Sequence, residues 1–218
     1  MTLTAKLPLF AAGATATVGV GALAVKELAF SKSQESIASL LSQDLSKRAI
    51  SKDEDWSKVW SLYKSSAKDI WGLKNSGADV PESFKDACKN KLESKVGSKD
   101  SKEYQDFLTY CTRDTLMSDL IKENAPNKEL LVKKTGSDAD WVKSWKSYVE
   151  SEKNKKQAGG DHTWGLSDWN NNYSKLDTAP DSFMDKCVAN VKEPFHDIKG
   201  TLYLDTLRFC TKDKATNG

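Results

Sequence analysis

Two stretches of the chain repeat each other and end in cysteine: PESFKDAC at residues 81–88 and PDSFMDKC at residues 180–187. A second cysteine follows the first after 23 positions in both copies, at Cys111 and at Cys210. The residues around the second cysteine recur too: Tyr104, Asp106, Leu108, Thr112 and Asp114 recur as Tyr203, Asp205, Leu207, Thr211 and Asp213. Internal self-similarity of this kind indicates a duplicated structural unit. The sequence therefore predicts two copies of one fold.

The four cysteines are predicted to form two disulfides, Cys88–Cys111 and Cys187–Cys210. An even number of cysteines at matched spacing favours disulfides. Each pair falls on the apolar faces of two neighbouring predicted helices, where a bridge between helices can form. Such a bridge is worth on the order of 3 kcal/mol, and it persists outside the reducing cytosol. Buried reduced cysteines, and metal binding or catalysis, are the alternatives.

Tryptophans mark a second repeated element. Trp56 and Trp60 begin an i, i+3, i+4, i+7 apolar stripe that is typical of a helix, and Trp141 and Trp145 begin a similar one 85 positions later. An aromatic stripe at helical spacing is more typical of a core than of a ligand site. These four tryptophans are therefore predicted to be core aromatic residues.

The fold class predicted from these patterns is all-α. Helical stripes dominate, and neither alternating β-branched runs nor Asn-Gly or Asp-Gly hairpin turns stand out in the sequence. The predicted organisation is an N-terminal membrane helix followed by a helical ectodomain of two duplicated, disulfide-stapled helical repeats. The predicted segments are a transmembrane anchor or signal segment over 1–25, an amphipathic connecting helix over 26–50, a first helical repeat over 51–125 and a second over 126–218.

Residues 7–25, LPLFAAGATATVGVGALAV, carry no charge and are long enough to span a bilayer as a helix. Three interpretations fit: a retained anchor, a secretory signal cleaved at the small residues Ala22 to Ala24, or a buried soluble helix. The predicted location is the cell membrane, single-pass, with the C-terminal part extracellular; the alternative is secretion. The membrane is accordingly a predicted partner through this segment.

The spacing of a shared Trp-Gly-Leu, at residues 71–73 and 164–166, shows two insertions in the second copy. One is the polar run 153–162, and the other lies around 170–172. Insertions of this composition are predicted to be surface loops, and surface loops are one place where binding residues occur.

Composition argues against several classes of function. Of 218 residues, 29% are charged and the formal net charge is +2, without a basic tail or face, so nucleic acid is not a predicted partner. The two histidines, His162 and His196, lie in different segments and fit no metal-ligand spacing. Residues 72–77 have glycines at phosphate-loop spacing but lack the Lys and Ser/Thr that such a loop needs. We predict no enzyme, and no catalytic, cofactor or metal site.

The order of features resembles one group of proteins. An apolar Ala/Gly-rich start precedes a Ser/Lys-rich region with Trp-x-x-x-Trp helices and a C-terminal Cys-Thr, here Cys210-Thr211. In this the chain is similar to the uncharacterised paralogous surface proteins of haemotropic mycoplasmas. The resemblance implies surface exposure and host interaction or antigenic variation, with no established biochemical activity and no catalytic residues.

The predicted function is therefore that of a membrane-anchored, surface-exposed protein of unknown biochemical activity that serves host interaction or antigen display. A host protein or another surface molecule is the predicted partner. A secreted or surface-bound hydrolase and a structural envelope component are the alternatives.

Overall fold

The structure is a computed structural model that describes residues 34–51, 54, 56–74 and 77–215. Its helices alternate with very short strands. In chain order the elements are β1 (Glu35–Ser36), α1 (Ile37–Ser42), β2 (Lys47–Ala49), α2 (Ser57–Ser65), α3 (Glu82–Leu92), β3 (Lys95–Val96), α4 (Lys102–Cys111), β4 (Thr112–Asp114), α5 (Met117–Asn124), β5 (Lys128–Leu130), α6 (Ala139–Val149), α7 (Trp169–Asn172), α8 (Asp181–Asn190), α9 (Thr201–Phe209) and β6 (Thr211–Asp213).

The all-α prediction is wrong, because the described residues form three small antiparallel sheets, and 44% of these residues are helical while 10% are in strands. In these sheets β1 pairs with β3, β2 with β4, and β5 with β6. Each strand has only two or three residues. A strand this short is below the four to eight residues over which alternation of apolar and polar residues becomes recognisable. The sequence therefore shows no strand pattern at these positions, although the strands pair segments that are distant in the chain.

The structure contains the same arrangement twice, and we call residues 34–114 the first half and residues 115–215 the second half. In the first half β2 pairs with β4, with Lys47 opposite Asp114. In the second half β5 pairs with β6 in the same register, with Lys128 opposite Asp213. Both sheets join the strand before a tryptophan helix to the strand after the last helix. Each half is thus closed upon itself by its own sheet.

The correspondence includes the first helix of each half. The amide of Ile37 at the start of α1 donates to the carbonyl of Ser94 over 2.9 Å, and the amide of Met117 at the start of α5 donates to that of Glu193 over 3.0 Å. The predicted connecting helix over 26–50 is, within the described residues, the short α1 followed by β2. Leu45, within that predicted helix, lies beyond the end of α1 and is 59% exposed.

Local sequence explains where the main helices begin. Pro81 and Pro180 occupy the N-cap positions of α3 and α8 in extended conformation, and an acidic residue follows each in the first turn. A carboxylate there is favoured by the helix dipole. The carboxylate of Asp138 caps α6 by accepting from the amides of Asp140 and Trp141, over 3.1 and 3.4 Å.

Each half has its own hydrophobic core. The core of the first half collects apolar residues from α1 to α4, while α6, α8 and α9 supply the core of the second half and α5 packs beside Tyr203. Contacts between the halves include polar ones: Arg113 of β4 binds Asp119 of α5 over 2.6 Å, and Arg48 of β2 binds Glu123 over 2.9 Å. The chain therefore crosses between the halves within a network of charged residues.

The prediction of a single-pass location in the cell membrane is contradicted. Throughout the part of the chain that the structure describes, no helix is both long enough and apolar enough to cross a bilayer. Helices α3 and α6 have 11 residues each, or roughly 16 Å at 1.5 Å per residue, against a hydrocarbon core of about 30 Å. The predicted anchor itself, within residues 1–25, lies outside the described residues.

Candidate functional site

The four cysteines form the two predicted disulfides. Cys88 is joined to Cys111 and Cys187 to Cys210, each with Cα atoms 5.4 Å apart. All four are buried. Each bridge links the helix that follows the repeated proline to the end of the next helix, so it fastens α3 to α4 and α8 to α9. The cysteines therefore form part of the scaffold in both halves.

The predicted core tryptophans are buried, and their indole N–H groups bind backbone carbonyls. Trp56 and Trp141 donate to Ser51 and Val132 over 2.9 and 2.8 Å. Trp60 and Trp145 donate in the same way to loop carbonyls, and their rings pack in the two cores. A buried indole N–H needs an acceptor. These hydrogen bonds therefore hold the loop segments before and after α2 and α6 against the helices.

Around these tryptophans the aromatic rings recur with the same geometry. Phe84 of α3 and Phe183 of α8 are each surrounded by the two predicted core tryptophans of their half, a tyrosine and a third tryptophan. The Tyr63–Phe84 ring centroids are 5.2 Å apart, and those of Tyr148–Phe183 are 5.0 Å apart. The interior of the fold is therefore almost the same in the two halves.

A tyrosine–aspartate pair lies beside each ring cluster. The Tyr63 hydroxyl donates to Asp69 over 3.0 Å, and the Tyr148 hydroxyl donates to Asp161 over 2.6 Å. Burial raises the pKa of Tyr63 to about 12, and burial with the Asp161 carboxylate raises the pKa of Tyr148 well above its usual value. Both hydroxyls therefore stay protonated at neutral pH. Each also accepts a hydrogen bond from the amide of the next tryptophan, Trp71 or Trp164, and so holds the turn that begins there.

The repeated Trp-Gly-Leu forms that turn. Gly72 and Gly165 have φ values of 65° and 66°, a left-handed conformation that glycine adopts without a Cβ penalty. The turn directs backbone amides at the aspartate, so that Leu73 donates to Asp69 and Leu166 donates to Asp161. Amides of Lys74 and Leu73 lower the pKa of Asp69. This polar centre was not predicted from the sequence, although the repeated glycine was its signal.

A cleft of about 360 Å³ opens beside the disulfide of the first half, and we call it the lysine cleft. Its apolar lining comes from both cysteines and from Ala49, Ile50, Trp56, Leu92 and Phe107. Four charged side chains of α3 border it: Glu82, Lys85, Asp86 and Lys89. An apolar cleft bordered by a few charged groups is the usual form of a small-molecule site.

The corresponding region of the second half is different. The positions of Lys85 and Lys89 are taken by Met184 and Val188, and the Met184 side chain is buried in the core, with 1% exposed. Lys133 lies 3.5 Å from Asp181 and 2.5 Å from Asp185, the counterparts of Glu82 and Asp86. On this face of α8 an apolar side chain and an ion-pair network therefore replace the two lysines, and a smaller cleft of about 240 Å³ lies beside Trp141.

The predicted surface loop over 153–162 is more ordered than its polar composition suggested. We call residues 150–163 the insertion loop, because α2 and Trp71 are joined by only a few residues in the first half. Asn154 is completely buried; its amide donates to the Tyr148 carbonyl over 2.9 Å and its oxygen accepts from the Thr163 hydroxyl over 2.8 Å. The Trp169 indole donates to the Gln157 carbonyl over 2.8 Å. The loop is therefore anchored from inside.

The tip of the insertion loop presents two neighbouring lysines to solvent. Lys155 and Lys156 have φ values of 53° and 47°, a conformation that costs a side-chain-bearing residue free energy. Their amides bind the carbonyls of Ser151 and Val149 over 2.8 and 2.9 Å, which holds the turn in place. Neither lysine side chain has an ion-pair partner among the described residues.

The two histidines of the chain lie in different segments of the fold. His162 lies in the insertion loop, whereas His196 follows the strand-like segment near Pro194, and both are exposed. Within the ranges that the structure describes, no group of three or more His, Cys, Asp or Glu side chains could hold a metal ion.

Comparison with known proteins found no match to this chain among protein-family models, curated proteins or solved structures. The geometry of the lysine cleft and of the insertion loop is therefore the basis for assigning a function.

Proposed function

We propose that this chain is a binding protein without enzymatic activity, which recognises a partner protein through the insertion loop. Host interaction or antigen display is the role that the resemblance to mycoplasma surface proteins adds to this proposal. The two disulfides support a site of action in an oxidising compartment, since such bonds are rare in reducing ones.

The observation that carries the proposal is the contrast between interior and surface in a duplicated fold. The ring centroids of Trp71 and Phe84 are 5.7 Å apart, and so are those of Trp164 and Phe183. The connection from α2 to Trp71 is nevertheless only residues 66–70, whereas the connection from α6 to Trp164 is residues 150–163. A change that leaves the scaffold intact and adds an ordered loop favours a role for the loop in recognition, because binding residues commonly lie on loops held by a rigid scaffold.

The order of the insertion loop also favours binding. Asn154 and the Trp169 indole hold its backbone before any partner arrives. A loop that is already ordered loses less conformational entropy when it binds, and so more of the contact energy appears as affinity. The loop is thus better suited to recognition than a solvated linker of the same composition.

The charge of the loop tip indicates an acidic partner surface. Lys155 and Lys156 project without carboxylate partners from the described residues, whereas Lys153 is paired with Asp205 over 2.7 Å. Unpaired cations on a fixed loop increase the rate of association with an acidic surface, and this effect decreases with salt. The proposed partner surface therefore carries Asp, Glu or other anionic groups near its centre.

A cell-binding measurement tests the proposal. Purified fluorescent full-length chain would be incubated with mammalian erythrocytes and measured by flow cytometry, with Lys155→Glu/Lys156→Glu compared with Lys122→Glu/Lys192→Glu. Lys122 and Lys192 are exposed lysines elsewhere, so both double variants have the same net charge. We expect the loop variant to lose at least about fivefold in binding, through the loss of two charge contacts of up to about 1 kcal/mol each.

Equal losses in the two double variants would contradict the proposal, because binding would then depend on net charge alone. Absence of binding by the unaltered chain would contradict it as well. A cooperative thermal unfolding transition at the Tm of the unaltered chain shows that each variant is folded.

A further inference from the structure

We propose that the lysine cleft of the first half binds a small molecule that joins an apolar chain to a carboxylate. This inference concerns α3 and the Cys88–Cys111 bridge and does not depend on the insertion loop. The ligand class follows from the lining of the cleft, from the charges at its border, and from the second half, where the same helix face has different residues.

The lining of the cleft is suited to an apolar chain. Ile50, Trp56 and Leu92 contribute apolar surface to a cleft of about 360 Å³, a size typical of small-molecule sites. The Cys88–Cys111 bridge forms part of the wall and joins the two helices on which the cleft depends. Such a site needs little reorganisation to accept a ligand, and burial of the apolar chain would supply roughly 25 cal/mol for each Å² removed from water.

The border of the cleft provides a cation for the carboxylate. Lys85 is already engaged by Glu82 over 3.1 Å. Lys89, one turn further along α3, has no ion-pair partner in the ranges 34–51, 54, 56–74 and 77–215. A carboxylate at the mouth of the cleft would pair with Lys89, while Asp86 beside it would disfavour a second negative charge. The charge pattern therefore fits a monoanion.

The second half supplies the comparison that separates this site from ordinary surface charge. The two acidic positions of α3 are acidic in α8 too, whereas Lys85 and Lys89 become Met184 and Val188. In α8 the methionine is buried and both acids are bound by Lys133. The second half also has a cleft, of about 240 Å³ beside Trp141, but its lysines Lys134 and Lys212 are both paired with carboxylates. An unpaired lysine at the mouth thus distinguishes the lysine cleft from its counterpart. If the fold needed Lys85 and Lys89 for its stability, lysines would be expected at the matching positions of the second half as well.

The test uses the tryptophan indole signals of the uniformly ¹⁵N-labelled full-length chain in NMR titrations with sodium octanoate, below its micelle concentration. Trp56 lines the lysine cleft, and its counterpart Trp141 reports on the second half in the same sample. We expect octanoate to shift the Trp56 signal in a saturable manner and to leave that of Trp141 in place. Octanamide, which lacks the charge, should bind about threefold more weakly, as expected for one exposed ion pair.

Two variants make the test specific. Lys89→Val, which introduces the residue of the second half, should reduce octanoate affinity to that of octanamide, while Lys122→Val on α5 should not change it. Equal shifts at Trp56 and Trp141, or an affinity unchanged in Lys89→Val, would overturn the proposal. Octanoate binding should be unaltered in Lys155→Glu/Lys156→Glu, so the result is independent of the proposed partner binding.

Discussion

The two halves of the chain have nearly the same interior and clearly different surfaces. In both, a disulfide fastens two helices, a phenylalanine lies among tryptophan rings, and a buried tyrosine holds a glycine turn through an aspartate. On the outside, the first half has a cleft bordered by Lys85 and Lys89. The second half has a buried methionine and an ion-pair network on the matching helix face, and it carries the insertion loop. The two proposed binding surfaces thus lie where the two halves differ.

This comparison also separates contacts that stabilise from contacts that can vary. Buried rings and buried hydroxyls recur because close packing and buried hydrogen bonds tolerate little change. Exposed ion pairs contribute far less to stability, so the residues that make them are free to differ. Substitutions at matched positions therefore measure whether a given contact contributes the same free energy of unfolding in both halves.

Removal of the disulfides should have the largest effect on stability. We expect Cys88→Ala/Cys111→Ala and Cys187→Ala/Cys210→Ala each to lower the free energy of unfolding by about 3 kcal/mol, because both bridges close loops of 23 residues. Urea unfolding followed by tryptophan fluorescence measures both. A cost in one half less than half of that in the other would show that the two scaffolds are not equivalent.

Loss of the buried tyrosine hydroxyl should have the next largest effect. In Tyr148→Phe the Asp161 carboxylate and the Trp164 amide lose a partner, now 2.6 and 3.1 Å away, which should cost about 1–2 kcal/mol. We expect Tyr63→Phe to cost somewhat less, because that ring is 4% exposed and Tyr148 is fully buried. The same unfolding measurement decides the order, and a larger loss at Tyr63 would reverse it.

The tyrosines should also make stability depend on alkaline pH. The pKa of Tyr63 is raised from 10 to about 12, so the folded state retains the proton more strongly than the unfolded state. Its contribution is complete below pH 10 and is lost as the pH rises through 12. Unfolding free energies measured across this range should fall less steeply in Tyr63→Phe than in the unaltered chain.

The glycine turns should respond more weakly and nearly equally. An added Cβ at Gly72 or Gly165 would meet nothing within 4 Å, so the cost of alanine is that of the left-handed backbone alone. We expect Gly72→Ala and Gly165→Ala each to destabilise the chain by about 1 kcal/mol. A thermal unfolding series checks this, and a cost confined to Gly165 would indicate that the insertion loop strains its turn.

The smallest effect is expected for the ion pairs found in the second half. Lys133→Ala removes contacts to Asp181 and Asp185, whose side chains are 81% and 61% exposed, and should cost about 0.5 kcal/mol. The difference from the unaltered chain should shrink further at high salt. A cost above about 2 kcal/mol would mean that this network contributes more to the stability of the second half than exposed ion pairs normally do.

Much of the scaffold could be predicted from the sequence because its signals are local. The equal cysteine spacings predicted which cysteines pair, and the Trp-x-x-x-Trp stripes predicted which helix faces are buried. The sheets could not be predicted, because segments such as Lys47–Ala49 and Thr112–Asp114 are too short to show a period and pair across most of a half. The order of the insertion loop could not be predicted for a related reason. Asn154 is a polar residue, and it is buried through contacts that form only in the folded chain.

The duplication, the disulfide partners and the apolar helix faces could all be predicted from spacing along the chain. Where the surfaces of the two halves differ depends instead on tertiary contacts. Lys85 and Lys89 border a cleft, and Met184 fills a core, because of how α3 and α8 lie against their neighbours. Spacing fixes which face of a helix is apolar, but the space left beside that face depends on side chains distant in sequence.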